Sequence, residues 1–214
     1  MIVRRSATES SAVVGEDAVP GFLRALRAAT ADAHRRLERR LPLVRPDVGL
    51  ADYLRILQAY HGYFAPLDAA LAPHAAGIDQ LQWPARRRAR RLRRDLLALG
   101  MDRASIRALP RCDALPCIDG PAAALGCLYV VEGSTLGGQI ISRVLGGRLG
   151  IDPERGGAYL AGYGATNGAM WQLFLAAVER FDRARPDCRP AMIASAEATF
   201  GTLERWLETQ GVLS

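Results

Sequence analysis

Three glycines within one apolar segment constrain the fold of this chain more than any other sequence feature. The segment, residues 121–145, is predominantly apolar and long enough to predict an interior helix. Gly137 and Gly138 follow Gly133 by four and five residues, so a helix would place all three on one side. Each helical glycine costs about 0.5–1 kcal/mol relative to alanine. We therefore expect the backbone to approach either a flat ligand or a neighbouring helix here.

Helical periodicity extends over nearly the whole chain. Apolar residues recur every three or four positions in segments that predict helices at about 20–40, 50–71, 83–99 and 121–145, with two more after Thr166 and Pro190. We expect Gly146 and Gly147 to end the fourth of these helices. No alternating pattern typical of strands appears. The sequence therefore predicts an all-α, single-domain helical bundle over residues 20–214, preceded by a flexible tail at 1–19.

The composition argues against several classes of protein. The net charge of +6 comes from arginine, and the arginine-rich segment 83–99 lacks the interleaved aromatic residues of a nucleic-acid-binding surface. We expect that segment to be either a solvated helix face or a docking surface for an acidic electron donor. The apolar run 122–131 is too short to cross a membrane, and residues 1–19 lack the apolar region of a secretory signal. Four cysteines without paired spacing indicate reduced thiols and a cytoplasmic location.

One histidine lies on the apolar face predicted for the first helix. That face contains residues at steps of three and four, namely Leu23, Leu26, Thr30, His34, Leu37 and Leu41. Glu38 follows His34 by one turn, where a carboxylate can accept the Nδ1 proton and leave Nε2 free to bind a metal. Arg27 lies two turns earlier, roughly 10 Å along the same side. The alternatives are an ordinary core histidine and weak surface ion pairs.

A second histidine, His61, also faces inward on its predicted helix. Its i+4 neighbour is Ala65 rather than a carboxylate, and Pro66 is expected to kink the helix directly afterwards. We therefore expect His61 to be a core residue or a neighbour of the site, and His74 to be exposed.

Two segments resemble one known family. Residues 26–38, which contain Arg27, His34 and Glu38, resemble the proximal helix of the heme oxygenases. Residues 132–139, with the sequence EGSTLGGQ, resemble their distal helix in the form found in bacterial members, including those paired with bacteriophytochromes. The resemblance implies heme between two helices, with His34 as axial iron ligand and Glu38 as its hydrogen-bonding partner. It also implies a glycine backbone over the other face of the heme.

The resemblance further implies an activity and its partners. Heme oxygenases use heme as both substrate and cofactor, and open it to biliverdin with release of iron and CO. The reaction needs dioxygen and an external electron donor, for which a ferredoxin, a flavodoxin or a reductase is implied. A bilin-accepting photoreceptor is a candidate recipient of the product. No separate metal and no nucleic-acid or membrane partner is expected.

The resemblance also assigns individual residues around the heme. Gly133, Gly137 and Gly138 would leave room for dioxygen above the ring. Ser134 stands where mammalian members have an aspartate that anchors proton-delivering waters. A hydroxyl can relay a proton, although it carries no negative charge. We therefore expect proton delivery through a chain of waters that involves Ser134, Thr135 or backbone carbonyl oxygens. The candidate partners of the heme propionates are Arg27, Tyr129 and Arg143.

Two other functions remain compatible with the sequence. One is a heme carrier or sensor that keeps the pocket without turnover. The other is a relative on the same helical fold that acts on non-heme iron or a thiamine-like ligand, and such a protein would not bind added hemin.

Overall fold

The computed structural model of the chain describes residues 21–214, and the expected tail at 1–19 lies outside the described residues. Within that range the regular structure is helical, which confirms the all-α prediction. The nine α-helices of this range are α1 (Gly21–Arg40), α2 (Leu50–Ala75), α3 (Trp83–Arg86), α4 (Arg88–Ala98), α5 (Arg103–Ala108), α6 (Pro121–Leu149), α7 (Ala158–Ala161), α8 (Asn167–Ala184) and α9 (Arg189–Thr209).

The first helix packs along the last in the same direction. Near the start of both, the guanidinium carbon of Arg189 lies 5.5 Å from the ring centre of Phe22. Near the end of both, the Glu204 carboxylate accepts hydrogen bonds from Arg36 and Arg40. The hydrogen bond from Arg36 is the main reason why the pKa of Glu204 lies below its usual value. These contacts fix α1 along most of α9.

The long apolar helix α6 also packs on α9. At Gly126 the backbone of Met192 comes so close that a side chain would have no room. Beside it, the Ser195 hydroxyl donates to the carbonyl oxygen of Ala123 at 2.7 Å. By length and composition α6 is apolar enough to cross a membrane, but 56% of its most apolar window is buried inside the fold. It is therefore the central core helix.

The end of α6 differs from the sequence prediction. Gly146 and Gly147 lie within the helix, which continues to Leu149. The expectation that they end it is wrong because the left-handed residue is Gly150, with φ of +68°.

Two arginines of the predicted cationic helix are buried in the fold. The segment breaks at Arg87 into α3 and α4, and the side chains of Arg86 and Arg88 both bind the carboxylate of Glu132 on α6. The hydroxyl of Tyr163 donates to both carboxylate oxygens at 2.9 Å. The expectation of a solvated or docking surface is wrong for these two residues, because the Glu132 carboxylate and backbone carbonyl oxygens accept hydrogen bonds from both inside the fold. The arginines that remain exposed are Arg87, Arg90, Arg93 and Arg94.

The second histidine is a core residue. His61 is only 4% exposed, and Arg111 donates to its Nδ1 at 3.0 Å and to its carbonyl oxygen at 3.1 Å. Burial and the nearby Arg111 charge lower the pKa of His61 to about 4. Its Nδ1 lone pair is therefore already bound within the fold.

Candidate functional site

The space between the first helix and the central helix is called the gap below. They make little direct contact with each other, although both pack on α9. At one end of the gap, Arg27 on α1 is close enough to Tyr129 on α6 to influence its ionisation. At the other end, Arg148 of α6 donates to the carbonyl oxygens of Arg45 and Pro46, just beyond α1. The gap is therefore bounded at both ends.

Helix geometry places the predicted residues along this gap. His34 follows Arg27 by seven residues, two turns, and so shares its face roughly 10 Å farther along α1. Gly133 and Gly137 follow Tyr129 by four and eight residues, and so share its face up to about 12 Å farther along α6. The two sets of residues lie on the sides of α1 and α6 that border the gap.

The imidazole of His34 is accessible and oriented by its neighbours. Its side chain is 51% exposed, and Nδ1 lies 3.4 Å from a carboxylate oxygen of Glu38. The ring meets Phe200 of α9 edge-on, with ring centres 5.9 Å apart. The alternative of an ordinary core histidine is therefore wrong, because half of the His34 side chain is exposed. With Nδ1 turned toward Glu38, Nε2 is the nitrogen that can bind a metal.

The gap side of α6 is apolar and exposed. Leu136, Ile140 and Val144 recur every four residues with relative exposures of 43%, 62% and 37%. Gly137 lies among them, and a methyl group added there would meet nothing within 4 Å. An exposed apolar strip of this kind indicates a surface that a ligand or partner covers.

The three glycines of the central helix do different things. Gly137 faces open space, and a methyl group at Gly133 would lie 3.8 Å from Cη2 of Trp171. At Gly138, by contrast, a methyl group would lie 2.8 Å from the carbonyl oxygen of Leu160 on α7. The structure therefore separates Gly138 from the other two: it allows α7 to pack on α6 rather than facing the gap.

The remaining predicted residues lie at the edges of the gap. Ser134 is exposed, and its hydroxyl donates to the carbonyl oxygen of Val131 at 2.7 Å. Tyr129 is half-buried, and burial raises the pKa of its hydroxyl while Arg27 partly opposes that shift. Arg143 is exposed and follows Tyr129 by 14 residues and Leu136 by seven, so it lies within about 40° of both around α6, on the side that borders the gap.

Sequence reasoning underrated one aromatic residue. Trp171 on α8 lies against Gly133, with its ring centre 5.7 Å from that of Tyr129. It also stacks on Phe174 at 5.6 Å. From the sequence, Trp171 and Phe174 are expected to belong to the apolar core face of their helix, with contact to heme as the less favoured alternative. Only the position of α8 shows that Trp171 borders the gap.

The gap has the chemistry of a site for a flat apolar ligand with an anionic edge. The α6 strip offers an apolar surface, Arg27 offers a cation, and His34 offers an imidazole nitrogen to a metal. Among residues 21–214 no cluster of three His, Cys, Asp or Glu side chains could hold a separate metal ion. The residues present therefore fit a metal-containing macrocycle such as heme.

Comparisons with known proteins bear on the family and the fold of this chain. A family model described as heme oxygenase matches residues 21–209. A heme oxygenase of Xanthomonas campestris pv. campestris (strain 8004) is 32% identical over 151 residues, which cover 69% of this chain and 84% of that protein. The crystal structure of the NO- and CO-bound heme oxygenase from Neisseria meningitidis has the same fold. It matches with a TM-score of 0.72 and 22% identity, over 90% of this chain and 94% of that one.

Proposed function

Because the chain belongs to the heme oxygenase family, we propose that it binds heme between α1 and α6 and opens it to biliverdin, releasing iron and CO. The bound heme supplies both the reacting carbon and the activation of dioxygen, while electrons come from an external donor. The observation that carries the proposal is the gap with an accessible imidazole on one side and an exposed apolar glycine-containing face on the other.

On the α1 side, His34 binds the heme iron through Nε2. Glu38, 3.4 Å from Nδ1, holds the tautomer that leaves Nε2 unprotonated and makes the imidazole more basic. The edge-on contact with Phe200 limits rotation of the His34 imidazole.

On the α6 side, the backbone at Gly137 leaves space above the heme where any side chain would intrude. Leu136, Ile140 and Val144 cover the ring and exclude water from most of its surface. This arrangement limits side reactions while keeping a small space for dioxygen.

Proton delivery is assigned to Ser134. Its hydroxyl already donates to Val131, so its oxygen lone pairs remain available to accept a hydrogen bond from a water molecule. Ser134 therefore positions a water beside the space left at Gly137.

At the end of the gap near the start of α1, Arg27 and Tyr129 bind the anionic propionates.

The electron donor is proposed to be an acidic protein such as a ferredoxin or flavodoxin, or a reductase, in the cytoplasm. Arg93 and Arg94, with the other exposed arginines of α4, are one docking surface. Arg24 and Arg35 on the helix that carries His34 are the alternative surface. Reversing the charge of one pair at a time, and measuring reduction rates at low and high salt, assigns the surface to one helix. A bilin-binding photoreceptor is the proposed recipient of the product.

The test is aerobic turnover of the purified protein. Hemin is added, then reduced ferredoxin or flavodoxin and oxygen, and the Soret band and bilin products are followed. We expect the Soret band to disappear and biliverdin to form. A complex that stays oxygenated or returns to the ferric state without bilin would identify a heme carrier or sensor instead.

A further inference from the structure

A buried arginine joins the two elements that form the aromatic corner of the gap. Arg86 is fully buried and binds the Glu132 carboxylate of α6 through Nη1. Through Nη2 it donates to the carbonyl oxygen of Met170 on α8 at 3.1 Å, and through Nε to the carbonyl oxygen of Leu81. One rigid guanidinium therefore fixes three segments of the chain.

The two residues that Arg86 holds directly precede the residues that meet in the gap. Glu132 precedes Gly133 and Met170 precedes Trp171, and the Trp171 ring lies 3.8 Å from the position of a methyl group on Gly133. Arg86 therefore sets the spacing between the Gly133 backbone and the Trp171 indole, because it holds the residue directly before each of them.

The same guanidinium also supports the aromatic rings. Its central carbon lies 5.7 Å from the ring centre of Phe174, on which Trp171 stacks. Trp171 in turn contacts Tyr129, which lies beside Arg27. A continuous set of contacts therefore runs from Arg86 to the end of the gap where the propionates are proposed to bind.

We propose that Arg86 is a positioning residue that sets the separation of Gly133 and Trp171 and thereby the in-plane orientation of the bound tetrapyrrole. The inference rests on the proposed function, because it specifies which edge of the bound macrocycle lies beside the space left at Gly137. A planar fork bonded to three acceptors fixes their relative positions, whereas a single ammonium cannot reach all three.

Stability alone does not account for this choice of residue. Buried ion pairs are often replaceable by well-packed apolar side chains without loss of stability. Arg88, in the same cluster, binds Glu132 and the carbonyl oxygen of Val131, both on α6, and makes no hydrogen bond to α8. The two arginines thus differ in whether they join α6 to α8.

That difference gives a matched pair of variants. Arg86→Lys keeps a positive charge beside Glu132 but cannot retain all three acceptors, whereas Arg88→Lys perturbs the same carboxylate without touching α8. Each variant is compared with the wild type in three ways: melting temperature, heme methyl resonances of the ferric cyanide complex, and the ratio of biliverdin isomers formed.

We expect Arg86→Lys to change the methyl resonance pattern and the isomer ratio, and Arg88→Lys to keep the wild-type pattern at a similar loss of stability. Equal patterns for both variants, whether changed or unchanged, would overturn the proposal. If Arg86→Lys does not fold, Phe174→Leu decides: it removes the ring under Trp171, and must shift both readouts for the proposal to stand. Failure of the proposed function is distinct, since the wild type itself would then form no bilin.

Discussion

Adjacent glycines of α6 provide an internal comparison of ligand clearance and helix packing. Gly137→Ala and Gly138→Ala are identical in composition and add the same methyl group to consecutive positions of one helix. At Gly137 the methyl group would enter open space, whereas at Gly138 it would lie 2.8 Å from the carbonyl oxygen of Leu160 and 3.6 Å from its carbon. From the sequence alone, both substitutions are expected to leave stability equal or higher and to slow ring opening. At Gly138 the structure instead predicts a loss of stability.

The neighbour at Gly138 has little freedom to move. Leu160 belongs to α7, whose first residues Ala158 and Tyr159 donate backbone hydrogen bonds to the buried carboxylate of Asp95 at 2.8 and 2.7 Å. Overpacking against backbone costs about 1–3 kcal/mol. Both variants gain about 0.5–1 kcal/mol because alanine is the better helix former. The helix contribution cancels between them, so Gly138→Ala should be less stable than Gly137→Ala by about 1–3 kcal/mol.

Urea and thermal unfolding of the two heme-free variants measure this difference. For a chain of this size, each 1 kcal/mol corresponds to a melting temperature change of about 2–4 °C. Gly137→Ala should melt at or above the wild type, and Gly138→Ala below it. Hemin affinity and biliverdin yield should fall in Gly137→Ala and stay near normal per folded molecule of Gly138→Ala. A Gly138→Ala variant as stable as Gly137→Ala would refute the packing assignment.

Three further results are expected. Glu38→Gln should keep His34 ligation but lower the iron–histidine stretching frequency of the reduced complex, because the neutral amide makes the imidazole less basic. An unchanged frequency would mean that Glu38 does not act on the imidazole. Arg27→Met should raise the hemin Kd about fivefold, the effect of roughly 1 kcal/mol from a partly exposed charged hydrogen bond. The Kd of hemin dimethyl ester should be the same for the wild type and Arg27→Met. The fold lowers the pKa of His61 from 6.5 to about 4. Between these two pH values the unfolded chain binds a proton that the folded chain does not, so the free energy of unfolding decreases as the pH falls from 6.5 to 4. His61→Gln should lack this loss, seen as a wild-type-minus-variant unfolding free energy that decreases by about 2–3 kcal/mol between pH 7 and pH 4.

Periodicity was sufficient for the fold and for the helices that border the gap. The three- and four-residue spacing around Leu26 and Leu37 correctly located α1, and both residues are buried. The same pattern cannot show that His34 borders a gap, because its exposure depends on how α1 and α6 are each placed on α9.

Charge and glycine patterns were less informative than apolar spacing. Arg86 and Arg88 looked like solvated residues because their partner, Glu132, is more than forty positions away along the chain. The spacing of Gly133, Gly137 and Gly138 indicated close approach, which the structure shows at Gly138, whereas Gly137 faces open space. Consecutive helical residues point about 100° apart. Only the position of α7 distinguishes the glycine that packs from the glycine that leaves space.

Hemin titration of the wild type and of His34→Ala shows whether His34 holds the heme iron in the gap between α1 and α6. We expect one hemin per chain, an axial histidine spectrum in the wild type, and loss of that spectrum in His34→Ala with recovery on adding imidazole. His61→Ala should bind hemin with the wild-type spectrum. An unchanged spectrum in His34→Ala, or its loss in His61→Ala, would contradict the assignment of heme to the gap between α1 and α6.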